Sequence, residues 1–298
     1  MLIGESAGDR LRPESWNMSV CIASIVWPRT IVAVSDRMLS TAHGEITADN
    51  TTMKQWYIHR HWFVLFAASD TGAVGPVLRA AGGALTNNRQ YEADEIRRVI
   101  VKAFDEERSA RAESDVLGVY RLTMAEFLNH GLERFGEARF GQMCNQIDKA
   151  ILDIDFLVCG FDGIGNAHIF DVHAGTPHDH DFSGYWAIGS GARLAHGALA
   201  ARGHNMHHSV DRCVYNLCEA RFIAESAYGV GRGETLVIVQ QFDSELKIMP
   251  PDAIGPVKNE WHTHAMQVPP GALAAIQAWL NPPRPGPVPV RQAEALGE

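Results

Sequence analysis

The sequence predicts an α+β protein with two antiparallel sheets that face each other and carry helices on their outer sides. Strand-like and helix-like segments occur in separate blocks: strands, helices, strands, two helices and a last strand. Such segregation favours α+β layering over a doubly wound sheet, in which strands and helices alternate. The 298 residues, of which 46% are hydrophobic and 20% charged, suffice for a sizeable core and argue against wholesale disorder.

The first block contains two strand pairs. Residues 19–26 and 30–35 are rich in β-branched side chains and flank Trp27-Pro28-Arg29, which predicts a hairpin. After a polar stretch, a second pair is predicted over residues 54–58 and 62–68.

Helices are predicted next, over residues 73–85 and 93–110. Pro76 is expected in the first turn of the first helix, where proline is tolerated. The second helix has a clear helical period that places these apolar residues on one face: Ile96, Val99, Ile100, Ala103 and Phe104.

A third helix is predicted after Thr123, because Thr123 and Glu126 have the spacing of a capping box. It carries Phe127, Leu128 and Leu132 and belongs to an enlarged helical region around residues 112–152.

The second block begins with strands at residues 156–161 and 167–172, joined by a turn-rich link. One helix is expected after Gly189-Ser190-Gly191, which is too short for a phosphate loop and predicts a tight turn. Another helix starts near an N-cap at Ser209, and residues 235–239 form the last predicted strand.

Three regions follow from this pattern. Residues 1–18 are polar and predict a leader or propeptide-like segment, and residues 19–250 form the folded domain. Residues 251–298 are Pro-rich and predict an extended or disordered tail.

Charge and composition indicate which binding partners and which cellular compartment to expect. The formal net charge of -9 argues against nucleic-acid and anionic-membrane binding. No apolar run is long enough for a membrane span, and the first residues lack the pattern of a secretory signal. Five cysteines with apolar neighbours predict buried thiols in a reducing compartment, so we expect a cytoplasmic protein.

Several segments, in order and spacing, resemble a proteasome β-type subunit. They are SVCIASIV, TIVAVSDRM and FVLFAASDTGAV in the first half, and FLVCGFD, YWAIGSGARLAHGAL and AESAYGVGRGETLVIV in the second. The resemblance covers roughly residues 19–240 and implies a four-layer αββα sandwich of the N-terminal-nucleophile hydrolase class. It also implies hydrolysis of peptide (amide) bonds in peptide or protein substrates, and a homo-oligomeric ring. Whether an ATPase partner exists does not follow from it.

The same resemblance implies the site residues. Ser19 falls at the nucleophile position, Asp36 at the acidic residue that anchors the catalytic lysine, and Lys54 at that lysine. Ala68 stands where a backbone N–H stabilises the oxyanion, and Glu225 replaces an aspartate near the last helix end. The α-amine of the nucleophile serves as base, which its reference pKa of about 7.7–8.0 suits, provided that it is unacylated.

Some positions depart from the family's pattern. Ser19 replaces threonine, which keeps the hydroxyl but loses the methyl group that restricts its rotamer. Ala192 sits where a supporting serine is usual, and Tyr228 replaces another serine. Translation from Met18 with removal of that methionine would expose Ser19, whereas no glycine precedes it for self-processing.

The sequence leaves alternatives open. Ser19 could be a strand-edge serine of a non-catalytic ring subunit, or the chain could be a small-substrate amidase of the same class. Cys21 is an alternative nucleophile that needs a cut after Val20. The histidines are expected to be solvated loop residues, so neither a metal site nor a cofactor is predicted: His173, His178, His180, His204, His207 and His208.

Overall fold

The computed structural model describes residues 19–40, 47–48, 53–69, 71–244 and 246–264, so the predicted leader and most of the predicted tail lie outside the described residues. The described strands are β1 Cys21–Val26, β2 Thr30–Asp36, β3 Leu39–Ser40, β4 Thr47–Ala48, β5 Gln55–His59, β6 Trp62–Ala68, β7 Ile154–Phe161, β8 Ala167–His173, β9 Thr176–Asp179, β10 Tyr185–Ile188, β11 Thr235–Gln241 and β12 Lys247–Met249. The described α-helices are α1 Thr71–Gly83, α2 Ala93–Ala112, α3 Met124–Asp148, α4 Ala192–Ala201, α5 Val210–Ala224 and α6 Pro251–His264. The predicted α+β class is confirmed.

Two antiparallel sheets of five strands organise the protein. The first has the strand order β10-β1-β2-β11-β12, and the second has the order β5-β6-β7-β8-β9. The predicted hairpin is β1–β2, with Cys21 opposite Ser35 and Val26 opposite Thr30. The second predicted pair is β5–β6, and β7–β8 form the hairpin predicted across residues 162–166.

Side chains from both sheets meet in one buried cluster. Since alternate residues of a strand face opposite sides, β1 contributes Cys21, Ala23 and Ile25 to this cluster. β6 contributes Phe63 and Leu65 to it from the second sheet. The two sheets therefore pack face to face.

Helices cover the outer sides of both sheets. The predicted apolar face of α2 packs with α1 on the second sheet, with Ile96, Ile100 and Phe104 fully buried and Val99 partly buried. On the first sheet, α5 packs against β1 and β2, and α4 packs against α5. This arrangement buries the outward-facing side chains of the central strands.

The helical region before β7 has a small core of its own. Thr123 and Glu126 form the predicted capping box, in which Glu126 N–H donates to Thr123 Oγ1 at 3.2 Å. Gly136, with φ of +74°, breaks α3 and lets its two halves pack together, so that the rings of Phe127 and Phe140 stack at 4.8 Å. Leu128 and Leu132 point outward and are exposed.

Three local predictions are wrong. Residues 251–264 form α6 instead of an extended tail, because Pro251 stands at the helix start, where its missing N–H costs little. α1 begins two residues earlier than predicted, which moves Pro76 to its second turn. His178 lies in strand β9 instead of a loop, since an edge strand tolerates a proline such as Pro177.

The chain divides into two compact units. Met1–Lys258 contains both sheets and, among its described residues, helices α1 to α5 and the start of α6. Asn259–Glu298 contains the last turns of α6. No helix in the described ranges is both long and apolar enough to cross a membrane.

Candidate active site

Ser19, Lys54 and Asp36 form a buried polar cluster at one end of the two sheets. Lys54 Nζ donates to Ser19 Oγ at 2.5 Å and to Asp36 Oδ1 at 2.8 Å. The exposed fractions are 1% for Ser19, 2% for Lys54 and 0% for Asp36. A hydroxyl this close to a desolvated ammonium group lies in a strong positive field, which stabilises its deprotonated form.

Backbone N–H groups from three segments fix the Asp36 carboxylate. Val20 N–H donates to Oδ1 at 3.0 Å, while the N–H groups of Met38 and Gly231 donate to Oδ2 at 3.2 and 3.1 Å. A buried charge is tolerated when its remaining lone pairs are satisfied in this way. Asp36 therefore holds Lys54 in position and balances its charge.

The turn between β10 and α4 fixes the backbone of Ser19. Gly191 N–H donates to the Ser19 carbonyl at 3.1 Å. Gly189 has φ of +88°, and a Cβ built on it would lie 2.5 Å from the Ser19 carbonyl oxygen. Glycine is required here for both reasons, since other residues disfavour positive φ and no side chain fits.

Ser190 is a site residue that sequence reasoning missed. Its hydroxyl lies 3.4 Å from the Ser19 nitrogen, which donates to it, and it donates to the Tyr228 carbonyl at 2.7 Å. The resemblance places the family's supporting serine at Ala192, a departure that offers no hydroxyl, and the structure shows that Ala192 begins α4. A serine between two glycines directly after a strand is the signal that could have identified Ser190.

The two remaining candidates, Cys21 and Ala68, lie on β1 and β6, whose side chains meet between the two sheets. The Cys21 thiol faces the second sheet and donates to the Phe66 carbonyl at 3.3 Å. Ser19 precedes Cys21 by two residues, and Ala68, buried at the end of β6, follows Phe66 by two. The oxyanion role of the Ala68 N–H stays a prediction.

Cys21 is poorly suited to the alternative role of nucleophile. It is fully buried within β1, and burial raises the pKa of its thiol well above the ordinary value. A thiol in such surroundings stays protonated and unreactive.

Glu225 lies at the C-terminal end of α5 and pairs with two cations. It forms ion pairs with Arg221 and with Lys258, whose Nζ lies 2.7 Å from Oε1. A surface cavity of ≈ 580 Å³ lies here and is lined in part by Met38, Tyr228 and Arg232. The predicted electrostatic role of Glu225 in catalysis stays a prediction.

Two of the six histidines, His180 and His204, differ from the expectation of solvated residues, whereas His173, His178 and His207 are exposed. His180 is buried, with Nε2 at 2.5 Å from Asp171 Oδ1, and its ring stacks on Trp186. His204 is also buried, because it packs between β1 and α5. Within the part of the chain that the structure describes, no group of three or more His, Cys, Asp or Glu side chains is arranged to hold a metal.

His204 belongs to a second, separate polar cluster. Asn216 Nδ2 donates to His204 Nδ1 at 3.1 Å, so the ring proton is on Nε2, which donates to Ser24 Oγ at 2.9 Å. The imidazole therefore cannot take a proton from Ser24 in this arrangement. Burial, with a smaller contribution from the charge of His208, lowers the pKa of His204 to about 4.

This burial predicts an acid-dependent loss of stability. Between pH 6.5 and 4 the unfolded chain binds a proton at His204 that the folded chain does not, so the free energy of unfolding falls as the pH falls. The difference between the ordinary pKa of 6.5 and the folded-state pKa of about 4 corresponds to about 3 kcal/mol of unfolding free energy. Urea unfolding of wild type and His204→Gln across this range checks it: the stability advantage of wild type should shrink toward pH 4.

The comparison with His204→Gln removes the contributions of other groups. Hydrogen bonds to carboxylates help to raise the pKa of His168 and His173, which favours folding at low pH, but equally in both proteins. A stability difference that is constant with pH would contradict the prediction.

No protein-family model matches the chain, and no curated protein matches it significantly.

Proposed function

We propose that the protein is a proteasome-like N-terminal-nucleophile hydrolase that cleaves amide bonds of peptides, with Ser19 as nucleophile. The observation that carries this proposal is the 2.5 Å contact between Ser19 Oγ and Lys54 Nζ, in a cluster whose cation is held by the buried Asp36. The two facing sheets and their helices are compatible with the four-layer αββα sandwich of that class. The resemblance of residues 19–240 to proteasome β-type subunits supports the same assignment.

The proposal requires that the mature chain begin at Ser19. In the 298-residue chain the Ser19 nitrogen is an amide, which has no useful basicity. Once the bond to Met18 is absent, this nitrogen becomes an α-amine with a reference pKa of about 7.7–8.0 and can act as general base. Ser190 Oγ, 3.4 Å away, is positioned to orient it.

The reaction then follows two acyl-transfer steps. The α-amine takes the proton from Ser19 Oγ, which attacks the substrate carbonyl while Lys54 stabilises the developing alkoxide. The ammonium protonates the leaving nitrogen, the C–N bond breaks, and an ester on Ser19 forms. Water, deprotonated by the same amine, attacks the ester, the C–O bond to Ser19 breaks, the carboxylic acid product leaves, and the ammonium returns its proton to Ser19 Oγ. The Ala68 N–H is the proposed donor to the oxyanion in both steps.

Two rival functions share the fold. A non-catalytic ring subunit would keep Ser19 acylated by the preceding chain. A small-substrate amidase would use the same chemistry in a smaller oligomer, whereas a peptidase of this class is proposed to act as a homo-oligomeric ring.

The test compares a chain that begins at Ser19 with a matched chain that carries one additional glycine before it. We expect the first to hydrolyse fluorogenic peptide amides, and the second to be about 10²–10⁴-fold slower because its base is acylated. Equal rates would exclude the α-amine as base. Absence of hydrolysis in both would favour the non-catalytic subunit, and gel filtration separates ring from small oligomer.

A further inference from the structure

Arg221 is a fully buried cation that the proposed reaction does not use. It lies in α5 with 0% exposure and pairs with Glu225, one turn later. Its Nη2 donates to the carbonyl of Gly231 at 2.9 Å and to those of Gly233 and Glu234 at 3.3 and 3.4 Å. A buried guanidinium group is stable only where carboxylates and carbonyls surround it.

These carbonyls belong to the segment that completes the Asp36 site. Residues 231–234 run from the end of the α5 region to β11, and Gly231 N–H donates to Asp36 Oδ2 at 3.1 Å. Glu234 of the same segment forms an ion pair with Arg37, which follows Asp36. The segment therefore touches Arg221 through its carbonyls and the catalytic cluster through an N–H group.

Lys258 strengthens the same connection. Its Nζ donates to the Arg232 carbonyl at 3.1 Å and pairs with Glu225, so Glu225 joins the two cations that hold the segment. All three carbonyls contact the Nη2 amino group of Arg221, while its Nη1 pairs with Glu225. Because the guanidinium group is planar and rigid, it fixes the segment and Glu225 relative to each other more tightly than a single ammonium group can.

We propose that Arg221 is a positioning residue: it fixes residues 231–234 so that Gly231 N–H orients the Asp36 carboxylate, which in turn holds Lys54 against Ser19. This inference rests on the proposed function for its kinetic consequence, but its structural part stands alone. The hydrogen bonds of Arg221 lead to Glu225 and to residues 231–234, and its effect on Ser19 passes through this segment.

The experiment uses the chain that begins at Ser19 and ends at Glu298, with three variants: Arg221→Met, Arg221→Lys and the control Arg202→Met. Arg202 forms a comparable ion pair with Glu219 of α5, with contacts of 2.5 and 2.6 Å, but does not touch residues 231–234. Hydrogen exchange at the Gly231 amide and steady-state hydrolysis of a fluorogenic peptide are measured for each.

In Arg221→Met we expect the Gly231 amide to exchange at least about tenfold faster than in wild type. Without the guanidinium group, residues 231–234 would open more often, and without global unfolding of the protein. The same variant should lower kcat about 10²-fold at nearly constant KM, because a small displacement of Asp36 and Lys54 would reduce the rate of the chemical step by about that factor. Arg221→Lys should recover part of both, and Arg202→Met should change neither.

Equal exchange at Gly231 in Arg221→Met and Arg202→Met would overturn the proposal. If Arg221→Met does not fold, Arg221→Lys decides: wild-type exchange and wild-type kcat in that variant would also overturn it. Failure of the proposed function looks different, since wild type itself would then lack hydrolysis while the exchange measurement still tests Arg221.

Discussion

Replacing Ser19 by alanine in the chain that begins at this residue is expected to abolish peptide hydrolysis while the fold persists. The alanine leaves the α-amine and the Lys54–Asp36 pair in place but removes the oxygen that is proposed to form the acyl ester. Loss of a catalytic nucleophile lowers kcat by several orders of magnitude, and we expect at least about 10⁴-fold. Fluorogenic peptide hydrolysis and urea unfolding of the same samples provide the two readouts.

Ser24→Ala is the matched control for this variant. Ser24 lies in β1, which begins two residues after Ser19, and is equally buried, but its hydroxyl bonds to His204 and to backbone carbonyls instead of Lys54. Both variants should lose about 1–2 kcal/mol of unfolding free energy, while only Ser19→Ala should lose activity. Retained hydrolysis in Ser19→Ala would contradict the assignment of the nucleophile.

Replacing Lys54 by methionine is expected to reduce both stability and activity. The Asp36 carboxylate would then lie at 0% exposure without its cation, although three N–H groups would still donate to it. Removal of one partner of a buried pair typically costs about 3–5 kcal/mol. Ser19, the proposed nucleophile, would also lose the positive charge that lies 2.5 Å from its oxygen.

Lys102→Met is the control, because Lys102 pairs with Glu106 on the exposed surface of α2, where an ion pair contributes about 0–1 kcal/mol. Urea unfolding should separate the two variants by at least about 2 kcal/mol. A loss of less than about 1 kcal/mol in Lys54→Met would contradict a dry, tightly coupled Lys54–Asp36 pair.

Most of the fold could be predicted because hydrophobic periodicity is a local property. Neighbouring residues alone indicate the strands β1 and β2, through their β-branched runs, and helix α2, through its 3.6-residue period. The start of α3 is likewise indicated by the Thr123–Glu126 capping box. Strand β9 and helix α6 could not be predicted, because Pro177 and Pro251 resemble strand and helix breakers unless their edge or N-terminal position is known.

The candidate site could be predicted only in part, for a related reason. Ser19, Asp36 and Lys54 were identified through the segments around them, and the structure brings these three side chains into contact. The contacts of Ser190 and Arg221 depend on where distant segments meet, since Ser190 reaches a residue 171 positions away. Nothing in the local sequence of α5 indicates that Arg221 is buried against residues 231–234.

The most direct test of the central claim is chemical trapping of the nucleophile. The chain that begins at Ser19 is treated with a peptidyl β-lactone, and the modified protein is analysed by intact mass and by tandem mass spectrometry of its N-terminal peptide. We predict one acyl group per chain, located on Ser19 and absent from the chain with an additional N-terminal glycine. Acylation of Cys21 or of another residue, with Ser19 unmodified, would contradict the account.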